Sequence, residues 1–84
     1  MTRAAREQRL TSESQVVELI RQRRKAKGFS QQQLASKLGV TQARLSEIEN
    51  GGAHLSVERL ISVAALLGVE LVLRETPPKQ TGEW

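Results

Sequence analysis

Ser30-Gln31-Gln32-Gln33-Leu34-Ala35-Ser36-Lys37-Leu38-Gly39-Val40-Thr41-Gln42-Ala43-Arg44-Leu45-Ser46-Glu47-Ile48-Glu49-Asn50-Gly51 is the stretch that decides the fold. It reads as two short helices joined by a tight turn. Ser30 is a good N-cap, and Gln33 three residues on completes a capping box. Leu34, Ala35 and Leu38 then share one helical face, and Gly39 supplies the left-handed residue that stops the first helix. Thr41 caps a second helix with Leu45 and Ile48 pointing inward and Asn50-Gly51 as its end. Phe29 with Leu34 and Val40 with Leu45 stand at hydrophobic-staple spacing, which sets the angle at which the chain enters each helix. Two helices, a short turn containing Gly and a small Ala35 where the helices approach describe a helix-turn-helix.

The outward face of the second helix carries the functional reading. At 100° per residue, the side opposite Leu45 and Ile48 holds Gln42, Ala43, Ser46, Glu47 and Asn50. A solvated face is ordinarily rich in Lys and Glu, whereas this one is short and amide-bearing. Gln pairs bidentately with adenine N6 and N7, an Ala methyl meets the thymine methyl, and Ser donates or accepts. Glu47 has two readings: it accepts from cytosine N4, or it repels phosphate and stays clear of DNA. We expect Gln42, Ala43, Ser46 and Glu47 to read bases.

Working outward, 84 residues allow one domain. With 38% hydrophobic residues and only Phe29 and Trp84 as aromatics, its core is small and aliphatic, and such a chain often needs oligomerisation for stability. The absence of cysteine excludes disulfides and thiolate metal sites. No apolar run approaches the ~18 residues that span a bilayer, and there is no signal-peptide core, so a cytoplasmic protein is expected. The net charge of +4 is uneven, since residues 1–27 hold eight basic and three acidic residues, or +5. That imbalance fits a polyanion partner, although a solvated basic helix gives the same count.

Residues 1–11 are polar and basic, an arm that either reaches along DNA or stays mobile. The helix-turn-helix domain is expected over 12–68. Its first helix starts near Ser12, capped with Gln15 at box spacing, and runs to Lys27 with Gly28 as its stop. Val17, Ile20 and Arg24 form its inward stripe. A charge on an apolar stripe needs a partner, and Glu49 on the flank of the reading helix is the candidate for a structural ion pair. Arg21, Arg23, Lys25 and Lys27 are left outside. A loop follows the reading helix, with His54 read as a solvated residue or a minor phosphate contact. Ser56 caps a last helix with Val57, Leu60, Ile61, Ala64 and Leu67 as its stripe and Leu66 facing away.

Residues 69–76 alternate in the strand sense, with Val69, Leu71 and Leu73 on one face and Val72 between them. An unpaired strand leaves donors and acceptors without partners. The same strand from a second copy satisfies them about a two-fold axis, which makes the chain a homodimer suited to an inverted-repeat operator. Pro77 begins a polar tail over 77–84, and its last residue, Trp84, is either accidental or awaits a receiver. No phosphate-binding Gly loop, metal cluster or catalytic set appears, so an enzyme is the poorest reading and no cofactor is expected.

The pattern Arg24-x3-Gly28-Phe29-Ser30-Gln31-x2-Leu34-Ala35-x3-Gly39-Val40-Thr41-Gln42-x2-Leu45-Ser46-x2-Glu49-Asn50-Gly51 resembles the Xre/phage-repressor-like helix-turn-helix family, over about Val17 to Val69. The resemblance implies that Gln31 and Gln42 to Glu47 face the major groove, that Asn50 contacts phosphate, and that Arg24 pairs with Glu49. Gln31, Lys37, Arg44, Asn50 and Lys27 are then the expected phosphate contacts. Four or five helices, a C-terminal strand and a tail ending in Trp also look like the HipB antitoxins, partners of HipA-type kinase toxins. That likeness implies an all-α fold with one β-strand pairing across a homodimer, autorepression of the operon, and toxin binding through Trp84. A stand-alone repressor and a protein-only adaptor are the alternatives.

Overall fold

A computed structural model describes residues 7–77, and the expectations for the first residues of the arm and for Trp84 lie outside them. The described residues form four helices: α1 (Glu13–Ala26), α2 (Gln31–Leu38), α3 (Gln42–Glu49) and α4 (Val57–Leu67). Each begins on a short hydroxyl side chain in extended backbone. Ser12, Ser30, Thr41 and Ser56 accept from the backbone N–H of Gln15, Gln33, Arg44 and Arg59. Only Ser30 and Gln33 form the full reciprocal box. The Gln15 carboxamide accepts instead from the Thr11 backbone N–H at 2.6 Å, one residue earlier than expected.

The turn between α2 and α3 is closed by Gly39 at φ 77°. The Val40 N–H donates to the Ala35 carbonyl at 3.0 Å and the Gly39 N–H to Ser36 at 3.2 Å, so the last α2 carbonyls are met and the chain turns sharply into Thr41. Any other residue at Gly39 would hold its Cβ against the following carbonyl. Arg59 of α4 adds a guanidinium hydrogen bond to the Leu38 carbonyl, placing a cation at the negative end of α2.

The core is one aliphatic cluster of Ile20, Leu34, Ala35, Leu38, Leu45, Val63 and Leu67, with Phe29, Val40 and Leu55 half-buried against it. These three are the residues just before the caps of α2, α3 and α4, and together they seal the core's edge. α2 packs on α3, and α1 packs on both α3 and α4.

The α4 stripe is rotated from the one expected. Val63 is buried at 1% exposure, while Val57 and Ile61 are 72% and 57% exposed. The inner face is Leu60, Val63, Ala64 and Leu67, an i, i+3, i+4, i+7 set that meets α1 and α2. Leu66 accordingly lies half-buried against the core rather than facing away from it.

Arg23 departs from the reading that left it outside. It is half-buried, with Nη2 3.4 Å from the Leu67 carbonyl and Nε without a partner. Its position on α1 faces the C-terminal end of α4, where a cation meets the last carbonyls.

Residues 69–77 adopt no regular structure within the single chain. The Val69 N–H closes α4 on the Ala64 carbonyl at 2.9 Å. Beyond it, Leu71, Val72 and Leu73 are exposed, Leu73 completely. Glu7 pairs with Arg74 at 2.6 Å, and Leu10 shares an apolar cleft with Val16, Leu19, Val69 and Leu71, so the segment before α1 runs beside the segment after α4. Among the described residues no helix is long and apolar enough to cross a membrane.

Candidate nucleic-acid interface

α3 is anchored by three buried residues, Leu45, Ile48 and Glu49. With these fixed inward, helical geometry turns Gln42, Ala43, Arg44, Glu47 and Asn50 outward, all exposed, and leaves Ser46 half-buried. The exposed surface therefore offers a carboxamide at each end, with a methyl, a guanidinium and a carboxylate between them.

Glu49 is 3% exposed and Arg24 is 8% exposed, and they meet as a two-pronged pair. Arg24 Nε donates to Glu49 Oε2 at 2.7 Å and Nη2 to Oε1 at 3.1 Å. Arg24 Nη1 also donates to the Phe29 carbonyl at 2.8 Å, which ties the α1–α2 connection into the same knot. Gln31 Nε2 donates to Glu49 Oε1 at 3.0 Å. One carboxylate thus fixes the last residue of α3 against α1 and against the first residue of α2. Satisfied on both oxygens, the pair offsets much of the cost of its own desolvation, and its planar fork orients α3 more narrowly than apolar contact does.

The basic residues around α3 are unequally available. Lys37 is exposed, its Nζ 5.4 Å from the centre of the Phe29 ring. Arg44 faces Glu47 across 3.8 Å. Lys27 sits at the C-terminal end of α4, where a Cβ placed on Gly68 would lie 3.3 Å from its Cε and Nζ. Arg21 is engaged by Glu18, whose carboxyl is held below its ordinary range by that bond first and by Gln22 second. Among the described residues no group of three His, Cys, Asp or Glu side chains converges as a metal site would require.

His54, read as solvated, is exposed but not alone: its Nδ1 lies 2.8 Å from Glu13 Oε2. Sequence spacing carries no sign of a pair 41 residues apart. The hydrogen bond to Glu13 raises the imidazole pKa above its ordinary 6.5. The sign follows directly: the pair contributes fully below the unfolded value and is lost as pH rises through the higher folded one. Proton NMR titration of His54 should give a lower midpoint in Glu13→Gln than in the unsubstituted chain.

Gln31, Arg24 and Glu49 are brought together, and Gln42, Ala43, Ser46, Glu47 and Asn50 lie along one helix. The Gln31–Glu49 bond had no sequence signal, because it depends on how α2 crosses α3.

Residues 20–73 match the helix-turn-helix family. A curated relative, the uncharacterized HTH-type transcriptional regulator y4dL of Sinorhizobium fredii (strain NBRC 101917 / NGR234), is 34% identical over 58 residues, 69% of this chain. The matched part is 30% of that relative's length. Among solved structures, the HipA-HipB-O2-O3 complex contains a chain similar at TM-score 0.71 and 25% identity, covering 84% of this chain and 100% of that one. The HipB-O1-O2 complex gives TM-score 0.70 at 25% identity, covering 82% and 100%. With a match that spans the caps of α2, α3 and α4, the Gly39 turn and the α3 face alike, this chain belongs to the Xre-like helix-turn-helix family of transcription regulators.

Proposed function

We propose that the chain is a sequence-specific DNA-binding repressor that acts as a homodimer in the cytoplasm and serves as the antitoxin of a HipA-type kinase. The observation that carries the DNA-binding part is the outward face of α3: short, amide-bearing and exposed, on a helix whose inner side is locked by Leu45, Ile48 and the Arg24–Glu49 pair. Gln42, Ala43 and Ser46 read base edges in the major groove, and Glu47 stands beside them. Lys37, Arg44, Asn50 and the free N–H of Gln31 hold phosphates, with Lys27 adding charge from the end of α4.

Two copies bring two α3 helices about 34 Å apart, one helical turn of an inverted repeat. The two-fold contact is made by residues 69–76 paired with their own copy. Leu71, Val72 and Leu73, exposed in the single chain, are what that pairing would cover. The toxin partnership rests on the likeness to a HipB chain in one complex that also contains HipA. In this reading the 77–84 tail, and Trp84 in it, contacts the kinase.

In gel-shift titrations Gln42→Ala should weaken binding by about 1–3 kcal/mol at one base position only. Lys37→Ala should weaken every duplex alike and lower the salt slope by about one. Equal losses on all duplexes from Gln42→Ala would remove its base-reading role. Co-purification with a HipA-type kinase tests the antitoxin part: removing Trp84 should weaken that complex and leave DNA binding intact. DNA binding with no kinase capture would leave a stand-alone repressor. Kinase capture with no duplex binding would leave a protein-only adaptor.

A further inference from the structure

Arg44 and Glu47 face each other on the outer edge of α3, with Nη1 and Oε1 3.8 Å apart and side chains 55% and 61% exposed. Helix stability does not account for them. An acid in the last turn opposes the helix dipole, and α3 has no basic residue there to offset it. The order, Arg before Glu, is also the weaker orientation for a helical ion pair. On a surface that meets phosphates a carboxylate is a liability unless it has a donor to accept. Glu49, the other acid of α3, is already neutralised by Arg24, which leaves Glu47 as the helix's one acid without a buried partner.

Besides Arg44, the neighbours of Glu47 on this face are the shorter Ala43 and Asn50, and its side chain stays 61% exposed to whatever lies in front. In the major groove cytosine presents the N4 amino group as a donor with no acceptor on its own edge. Adenine sets the N7 acceptor beside its donor, and guanine and thymine present acceptors. A carboxylate is acceptor-only and therefore discriminates for cytosine. On the reading of α3 as the base-reading helix, we infer that Glu47 selects a cytosine at one position of each half-site, and that Arg44 is the positioning residue that offsets its charge.

The test is selection of bound duplexes from a random pool by the full chain, unsubstituted and as Glu47→Gln, Glu47→Ala and Arg44→Ala. All three substitutions fall on exposed side chains, and circular dichroism checks that the helices persist. The unsubstituted chain should enrich an inverted repeat with a fixed cytosine in each half. Glu47→Gln should turn that position to adenine while the base under Gln42 stays unchanged. Glu47→Ala should lose about tenfold discrimination there and bind unrelated duplexes more tightly, because a negative charge has gone from the interface. Arg44→Ala should weaken cytosine enrichment and lower the salt slope by about one. The same consensus from Glu47→Ala as from the unsubstituted chain would overturn the inference and leave base reading by Gln42 standing. No consensus from the unsubstituted chain would overturn both.

Discussion

Glu49→Ala should cost about 3–5 kcal/mol and bring the domain close to its unfolding midpoint at ambient temperature, read as a large fall in the temperature of the cooperative thermal transition. Glu49 accepts from Arg24 twice and from Gln31 once, at 3% exposure. Removing it strands a guanidinium that is itself 8% exposed. A buried charge left without its partner is far more costly than the pair was valuable. Against the 5–15 kcal/mol typical of whole domains, an 84-residue chain stands near the lower end. The paired replacement Arg24→Met with Glu49→Met should recover most of the loss, since apolar groups of similar volume pack without desolvation cost. It should still lower duplex affinity, because the fork that orients α3 and the anchor for Gln31 have both gone. Equal instability of the single and the double variant would show that shape, not charge pairing, governs the site.

Leu34→Ala is the second large effect, a loss of about 2–5 kcal/mol with a matching fall in denaturant midpoint. Leu34 is fully buried in the core cluster that also holds Leu45 and Val63, with Phe29 half-buried against that cluster. A chain with two aromatics has no large side chain free to swing into the space. The cavity therefore persists, and the cost falls toward the upper part of that range. By contrast Ile61→Ala, at a position 57% exposed in the single chain, should change monomer stability by no more than about 0.5 kcal/mol.

What the sequence made legible was local. Ser30, Thr41 and Ser56 each precede a helix by one residue, Gly39 and Gly68 each close one, and the staple residues repeat at fixed spacing. Capping chemistry acts within four residues, so the order of the chain contains it. The inward position of Arg24 was equally readable, because periodicity alone placed a charge on an apolar stripe.

The features that escaped depend on where one helix lies against another. The α4 wheel fits several stripes, and only contact with α1 and α2 selects Val63 over Val57. Arg23 is a solvent-facing residue on its own helix and becomes half-buried only because α4 ends beside it. Gln31–Glu49 and His54–Glu13 join residues 18 and 41 positions apart, with no spacing to mark them. The alternation of Val69, Leu71 and Leu73 reads as a strand, yet residues 69–77 take no regular structure in the single chain.

The Glu7–Arg74 contact brings the start and the finish of the described segment together on a single edge of the molecule. A short peptide bridge between them would therefore meet little resistance, and the exposed Gly51-Gly52 connection offers a place to cut the resulting ring. A circularly permuted chain built this way would keep every helix intact while moving the free ends beside α3.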